Sequence, residues 1–186
     1  ILAGQKSVQV PISTLNNNKP DGDVMVTLQA EAPLFSPGYC YVFVTDQNKA
    51  DLSLRPLVLS LDSAKVGGLI EIRGTMRNTG LLDAPAGVKI NFYLSKDDLV
   101  DNFDNVLGQY ETVGGLKMGD SVSFVKGFIL PNTTGMQKII AEANPGNTIN
   151  ELIYTNNTSV PVPFTVLPEY SVTAIVDQEY VLPNTV

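Results

Sequence analysis

Histidine and tryptophan are both absent from this chain of 186 residues, and cysteine occurs once. Without histidine the chain lacks the commonest general base and transition-metal ligand, so it cannot build a Ser-His-Asp or Cys-His site. Cys40 has no second cysteine with which to form an intrachain disulfide. Its neighbours in GYCYVFV predict a small buried hydrophobe in a strand rather than a nucleophile. We therefore expect no enzyme activity and no catalytic residues.

Positive charge is also scarce, because 12 Lys and Arg face 19 Asp and Glu, which gives a net charge of −7. This balance disfavours nucleic acid and anionic membrane surfaces as partners, since both are bound through basic side chains. No uninterrupted apolar run approaches the ~20 residues of a membrane span. The opening ILAGQKSVQV has neither an initiator Met nor a leader, which predicts a piece of a longer protein or a processed form.

Alternating apolar and polar residues dominate the chain, whereas helical periodicity is nearly missing. In LIEIRGTMRN one face carries Ile70, Ile72, Gly74 and Met76, and the other face is polar. GVKINFYLSK and SVPVPFTV alternate in the same way. A period of two with one wet face predicts antiparallel sheets that are packed on one side.

Turn-forming stretches such as RNTG, DAPAG, LPNTTG and NPGN divide the middle of the chain into about seven strands. That number, over residues 51–166, predicts an all-β fold, an immunoglobulin-like antiparallel β-sandwich. The predicted strands are 53–61, 69–77, 87–95, 106–113, 120–130, 136–144 and 158–166. Alternation is lost at VKGF, which predicts a bulge near Lys126 and Gly127.

Two flanking pieces predict partial β-modules on either side of this sandwich. Residues 1–48 contain three strand-like segments, KSVQVPIST, DVMVTLQAEA and GYCYVFVTD, and 169–186 begin with another alternating run. LAGQKSVQV near the start is similar to LKMGDSVSF at 116–124. We expect the last strands of a preceding module in 1–48 and the first of a following module in 169–186, as in a tandem array.

Several spaced motifs in residues 51–166 resemble CARDB, the cell-adhesion-related domain found in bacteria. They are ADLSLRPLVL, the long stretch GGLIEIRGTMRNTGLLDAPAGVKINFYLSKD, LGQYETVGGLKMGDSVSF, and IIAEANPGNTINELIYTNNTSVPVPF. AEANPGN departs from the family by lacking an Asp before the turn. More weakly, 1–48 resemble the closing half of a Calx-beta-type module. The resemblance implies an immunoglobulin-like sandwich in secreted or surface bacterial proteins and implies no chemistry.

The stretch NPGNTINELIYTNN, residues 144–157, is a polar connector between two buried strands. Its backbone leaves the sheet and needs other hydrogen-bond partners, which Asn and Glu side chains can supply. We expect Glu151 to cap neighbouring amides, and Asn156 and Asn157 to close the turn into the last strand. Ile149, Leu152 and Ile153 are predicted to plug the end of the sandwich.

Acidic loops are the only candidates for cation binding. Asp97, Asp98, Asp101 and Asp104 crowd one loop together with Asn102 and Asn105, and calcium takes six to eight oxygen ligands. The spacing does not match an EF-hand, and the alternative is a solvated loop of Asx turns. Asp21, Asp23 and Asp46 form a second candidate calcium set. We expect no bound cofactor or metal as the default.

Two functions remain open at this level. The first is a non-catalytic spacer or interaction module, whose partners are neighbouring β-modules and extracellular protein or glycan, at the surface of a bacterium or in a secreted protein. The second is an accessory carbohydrate-contacting module of a large secreted glycan-degrading enzyme, for which Tyr93, Tyr110 and Tyr154 are the expected sugar contacts. A coplanar aromatic strip beside polar groups would favour the second function.

Overall fold

The computed structural model describes residues 7–170, and within this range the protein consists of β-strands and no helix. The predicted all-β class is therefore confirmed. The strands are β1 (Val24–Ala30), β2 (Gly38–Val44), β3 (Leu52–Leu54), β4 (Val58–Leu59), β5 (Ser63–Lys65), β6 (Leu69–Asn78), β7 (Lys89–Ser95), β8 (Asn105–Glu111), β9 (Ser121–Ile129), β10 (Gly135–Ala143) and β11 (Val162–Leu167).

Strands β3 to β11 form the predicted sandwich of two sheets. One sheet has the order β5-β11-β10-β7-β8. In the other sheet, β3 and β4 both pair with β6, and β9 pairs with β6 on its other side. All of these pairings are antiparallel except that of β5 with β11, which is parallel.

The first predicted strand of the sandwich, 53–61, is broken in the structure. Pro56 has no N–H to give to a ladder, and it separates β3 from β4. The Arg55 amide still donates to the Thr75 carbonyl at 3.0 Å, which keeps the interrupted strand beside β6. The chain then crosses to the opposite sheet, where β5 pairs with β11. The two sheets are thus joined along one side by a single continuous segment.

The core lies between the sheets and is built from the alternating positions that the sequence predicts. Ile70, Ile72 and Met76 of β6 are fully buried, and they share one hydrophobic cluster with the inward residues of β7, β10 and β11. The ring of Phe92 is in its centre, with centroids 5.7 Å from Phe124 and 4.8 Å from Phe128. These interlocking aromatic rings hold the two sheets in one relative position.

The predicted bulge near Lys126 and Gly127 is wrong. Strand β9 pairs with β6 without interruption, and the register shift lies instead between Phe92 and Tyr93, opposite β8. Alternation is lost at VKGF because Lys126 takes a core-facing register position between Phe124 and Phe128 while remaining exposed. Among the described strands, β9 pairs only with β6, and a charged residue on such an edge strand discourages pairing with other chains.

Strands β1 and β2 form a separate antiparallel hairpin before the sandwich, in register from Val24–Val44 to Ala30–Gly38. The predicted strand in KSVQVPIST is wrong, because residues 7–14 belong to no strand. The prediction that Cys40 is buried is also wrong, since its side chain is exposed. Within the described residues no second sheet covers this hairpin, and a two-stranded sheet alone cannot bury its side chains.

The start of the predicted following module falls mainly on residues 171–186, which lie outside the described residues. The division of the chain into modules at 1–48, 51–166 and 169–186 stays a prediction.

Gly80 allows the junction between hairpin and sandwich to lie against the turn after β6. A Cβ at this position would lie 2.3 Å from the Lys49 carbonyl oxygen and 2.5 Å from the Asp51 nitrogen. Both atoms belong to the backbone, so no side chain can move aside to relieve the contact. The amides of Thr79 and Leu81 donate to the Asp51 and Lys49 carbonyls at 2.7 and 2.9 Å, which fixes this approach.

Replacing Gly80 with Ala should therefore lower the free energy of unfolding by about 3 kcal/mol, because the added methyl forces two hydrogen-bonded segments apart. Gly114→Ala is the matched control, since a Cβ there meets nothing within 4 Å. Urea unfolding followed by circular dichroism measures both variants. Equal stability of the two variants would contradict the close approach at Gly80.

Candidate functional site

The loop of residues 144–157 is organised around the buried carboxylate of Glu151. This side chain is 2% exposed and accepts three hydrogen bonds. Leu52 donates its backbone N–H to Oε2 at 2.5 Å, and the side-chain amides of Asn144 and Asn157 donate to Oε1 at 2.6 and 2.7 Å. Glu151 does cap a backbone amide, but the expectation that this amide is a neighbouring one is wrong. The capped amide belongs to β3 and is 99 residues away in the sequence, so the contact is not a local one.

Asn144 anchors the start of the same loop. It adopts a left-handed backbone conformation, with φ of 49°, which Asn tolerates better than most residues. Its side chain accepts from the Ile149 amide at 3.0 Å and donates to the Ile149 carbonyl at 2.9 Å. Ile149 packs against the core as expected, whereas Ile153 is 45% exposed and does not plug the sandwich.

Burial raises the pKa of the Glu151 carboxyl above its ordinary value, and the three donated hydrogen bonds only partly offset this effect. The nearby Asp51 carboxylate acts in the same direction as burial. Since Asp51 also accepts from Asn156 at 3.1 Å and from the Thr79 hydroxyl at 2.7 Å, the two acids belong to one polar network at this end of the sandwich.

A second polar network fills the junction between the hairpin and the sandwich. Asp46 accepts from the amides of Gly22 and Asn48 at 2.9 and 2.8 Å, and these bonds lower the pKa of its carboxyl. The Asn48 side chain donates to Asn16 at 3.0 Å and to the Lys19 carbonyl at 3.1 Å. Both Asp46 and Asn48 are buried. The carboxylate oxygens of Asp46 are thus directed at backbone amides.

The other two acids of this candidate calcium set do not join Asp46 in a cation cage. Asp23 accepts from the Asp46 amide at 2.8 Å and pairs with Lys49 at 3.4 Å. Asp21 accepts from the Asn17 side chain at 2.5 Å. Across residues 7–170, no group of three or more His, Cys, Asp or Glu side chains is placed to hold a metal ion.

The acidic loop after β7 forms a chain of Asx turns. Asp97 accepts from the Leu99 amide at 2.9 Å, and Asp101 accepts from the Phe103 amide at 2.7 Å. Asp104 accepts from the Asp101 amide at 3.0 Å. Asp98 points elsewhere and pairs with Lys138 of β10. These contacts correspond to the alternative interpretation of the loop, in which its acids make turns.

The three tyrosines expected to contact sugar do not form a surface platform. Tyr93 is buried, and its hydroxyl donates to Glu142 at 2.8 Å; burial raises the pKa of this phenol. The ring of Tyr110 packs beside Phe124 with centroids 5.3 Å apart. The Tyr154 hydroxyl accepts from the Glu151 amide at 3.1 Å.

An exposed row of aromatic rings lies instead on β2, and the sequence analysis did not predict it. Tyr39, Tyr41 and Phe43 occupy alternate positions of one strand and are 59%, 65% and 66% exposed. The signal was present in GYCYVFV, in which aromatic residues recur at every second position. We name these three residues the aromatic row.

The CARDB family model matches residues 49–161, and the chain belongs to the CARDB family. The residues that the family model matches include most of the two-sheet sandwich and its Glu151-centred loop. No curated protein sequence matches the chain. Among the described residues there is no helix that could span a membrane.

Solved structures of similar fold include the CARDB domain of the PF1109 protein from Pyrococcus furiosus, in complex with di-metal ions. It is 20% identical, with a TM-score of 0.49, over 64% of this chain and 90% of that one. A domain (272–376) of a Methanosarcina acetivorans protein, provisionally named a cell surface protein, is 19% identical with a TM-score of 0.46, over 64% and 95%. Beta-glucosidase 3B from Thermotoga neapolitana is 18% identical with a TM-score of 0.42, over 63% of this chain and 16% of that one. At these identities the likeness concerns the fold alone.

Replacing Glu151 with Ala should lower the free energy of unfolding by about 3 kcal/mol or more, because three buried donors lose their acceptor. Denaturant unfolding measures the change. Glu111→Ala is the control, since Glu111 is an exposed acid at the end of β8. A loss no larger than that of the control would contradict the role of Glu151.

The raised pKa of Glu151 also predicts a pH dependence of stability. The folded protein holds the Glu151 proton more tightly than the unfolded chain, so this group stabilises the fold increasingly as the pH falls from 7 towards the ordinary value of 4.5. Glu151→Gln cannot titrate at this position. The difference in unfolding free energy between wild type and Glu151→Gln should therefore grow in favour of wild type as the pH falls. If this difference stays constant or shrinks as the pH falls, burial does not dominate the pKa of Glu151.

Proposed function

We propose that the chain is a non-catalytic structural module of a secreted or cell-surface multidomain protein, in which it acts as a rigid spacer. The observation that carries this proposal is the junction at residues 45–51. Linkers between independent domains are commonly exposed and flexible, whereas Asp46, Asn48 and Ala50 are at most 7% exposed. A buried junction transmits orientation from one module to the next.

The junction contacts both sides of the boundary. Towards the hairpin, Asp46 and Asn48 bind the backbone and side chains of residues 16–23. Towards the sandwich, the carbonyl of Lys49 accepts from Leu81, and that of Ala50 accepts from the Leu152 amide at 2.9 Å. Rotation of the hairpin about the junction would break several of these buried hydrogen bonds at once, and each buried group left unpaired costs about 1–3 kcal/mol.

The sequence and the site both support a non-catalytic role. The chain contains no histidine, and the buried acid Glu151 is surrounded by donors that belong to the fold, which leaves it no contact with solvent or substrate. Membership of the CARDB family supports a module of a larger surface protein. The neighbouring β-modules of the same chain are its proposed direct partners.

The rigid-junction role is tested with the double variant Asp46→Ala, Asn48→Ala in the whole chain. Amide hydrogen exchange in residues 45–51 should accelerate. The distribution of interatomic distances from small-angle scattering should broaden, while the unfolding temperature of the sandwich stays unchanged. Asp120→Ala, Asn132→Ala is a control at two exposed positions. The proposal would be overturned if amides of the wild-type junction exchange as fast as those of an unfolded peptide. It would also be overturned if the double variant protects these amides from exchange as well as wild type does.

We further propose that the acidic loop holds its shape without calcium, since Asp97, Asp101 and Asp104 each accept an amide of the same loop. Millimolar calcium, compared with chelator, should leave the unfolding temperature unchanged. A functional site saturated at 100 times its Kd would instead stabilise the fold by about 2.7 kcal/mol. A calcium-dependent rise of several degrees that Asp101→Asn abolishes would contradict this expectation.

A carbohydrate-contacting accessory role is the second candidate function. The residues that the sequence suggested for it are engaged in the sandwich, but the aromatic row on β2 is an exposed strip of rings beside polar side chains. This observation favours keeping the second candidate, with its contact surface on the hairpin.

A further inference from the structure

The three arginines of the chain, Arg55, Arg73 and Arg77, lie on one side of the sandwich. Arg73 and Arg77 each follow a fully buried residue of β6, so their exposed side chains point to the outer side of that sheet. Arg55 is also exposed and lies beside the same strand, because its amide donates to the Thr75 carbonyl at 3.0 Å. A chain with an excess of acids thus collects its arginines on one surface.

Two exposed valines lie beside one of these arginines. Val58 of β4 and Val125 of β9 pair with Arg73 from its two sides, and they are 62% and 53% exposed. Glu71 forms a salt bridge with Arg73 at 2.6 Å, whereas within residues 7–170 the other two arginines form none. Apolar surface beside arginine is a common composition of protein interfaces. We name as the basic face the residues Arg55, Val58, Arg73, Arg77 and Val125.

The acidic loop, residues 96–104, has the complementary composition. Three of its aspartates are exposed, namely Asp97, Asp98 and Asp101. Leu99 and Phe103 are exposed beside them, by 69% and 94%. Exposed apolar side chains that are rimmed by polar residues mark interaction sites. The loop therefore offers an aromatic ring and negative charge together, as the basic face offers valines and positive charge together.

The loop cannot reach the basic face of its own chain. It connects β7 to β8 in the five-stranded sheet, and Asp98 forms a salt bridge with Lys138 of β10. Lys138 precedes the core residue Ile139 and so lies on the outer side of that sheet. The basic face is the outer side of the other sheet, and the hydrophobic core lies between the two. A contact between the loop and the basic face therefore joins two molecules.

We propose that the basic face binds the acidic loop of a second copy of this chain. Arg55 and Arg77 pair with aspartates of the loop, since a guanidinium binds a carboxylate through two parallel hydrogen bonds. The ring of Phe103 packs on the two valines of the basic face. Arg73 lies between those valines, where its guanidinium is attracted to the face of an aromatic ring.

The combination of charge and apolar surface argues for this partner. An acidic glycan or a nucleic acid would match the arginines through charge alone, whereas the acidic loop also brings Phe103 to the valines. Each copy carries a net charge of −7, but at an ionic strength of 0.1 M such repulsion is screened beyond about 10 Å. The attraction between paired groups in contact acts at much shorter range.

The contact joins two different surfaces, so each molecule can offer its loop to one neighbour and its basic face to another. Such heterologous contacts form rows rather than closed dimers unless the rotation closes a ring. The inference goes beyond the spacer role and is independent of the rigid junction. Loss of self-association would leave hydrogen exchange in residues 45–51 unchanged, and a flexible junction would leave the self-association intact.

The first test is sedimentation velocity of the whole chain from micromolar to millimolar concentration. The average mass of wild type should rise with concentration. The basic-face variant Arg55→Gln, Arg77→Gln should stay monomeric, and so should the loop variant Asp97→Asn, Asp101→Asn, Phe103→Ala. Asparagine removes the negative charge but can still make the Asx turns of this loop. The control Lys65→Gln, Lys89→Gln changes the net charge as much as the basic-face variant does, at two exposed positions elsewhere, and should associate like wild type.

The second test mixes the two variants, because their defects are complementary. The basic-face variant keeps the loop, and the loop variant keeps the basic face. An equimolar mixture should form a heterodimer with one copy of each and no longer species, although neither variant associates alone. NMR shifts of wild type on dilution test the same contact without any substitution, and they should be confined to the basic face and the acidic loop.

Four results would overturn the proposal. Wild type could remain monomeric at millimolar concentration, or it could associate with NMR shifts that lie elsewhere. The third result is that the mixed variants form no heterodimer. The fourth is that oligogalacturonate binds to a chain that stays monomeric and that Arg55→Gln, Arg77→Gln abolishes this binding, which would show that an acidic glycan occupies the basic face.

Discussion

The Glu151 carboxylate is the interaction on which the end of the sandwich depends. Residues 144–161 connect β10 to the last strand. The backbone of their first part, the loop 144–157, cannot satisfy itself by strand pairing. One buried charge, accepting from Leu52, Asn144 and Asn157, ties the start of β3 to both halves of that loop. Burial of a carboxylate is unfavourable unless donors surround it, and here they come from segments far apart in the sequence. The Asn-rich connector is polar because it supplies those donors.

The alternation of apolar and polar residues was sufficient to predict the sandwich. Ile70, Ile72 and Met76 are buried as their pattern predicted, because a strand has only two faces and one of them must be covered. The details of edges could not be predicted in the same way. Pro56 breaks the first strand, and Lys126 occupies an inward register position on β9. Both effects depend on which strand is a neighbour, which a local pattern does not contain.

Side-chain exposure was less predictable than strand position. Tyr93 has the same alternation as a solvent-facing residue, yet it is buried, with its hydroxyl donating to Glu142 of the neighbouring strand. The prediction for Cys40 was wrong in the opposite direction, because Cys40 is exposed. Its strand is apolar, but it has only one partner strand and therefore stays uncovered. Alternation identifies the two faces of a strand, and only the surrounding sheets decide how much of each face is covered. The aromatic row became visible once the hairpin was seen to lack such cover.

The parallel pairing of β5 with β11 has a mechanical consequence. Strand β5 lies near the beginning of the sandwich and β11 at its end, and they run side by side in the same direction. Tension applied at the two ends of the sandwich would pull β5 and β11 in opposite directions, and the force would run along the axes of the two strands. Their hydrogen bonds would then bear the load together in shear, whereas in a hairpin pulled open from its ends they would break one at a time. A module connected in this way resists stretching by a mechanism separate from its thermodynamic stability.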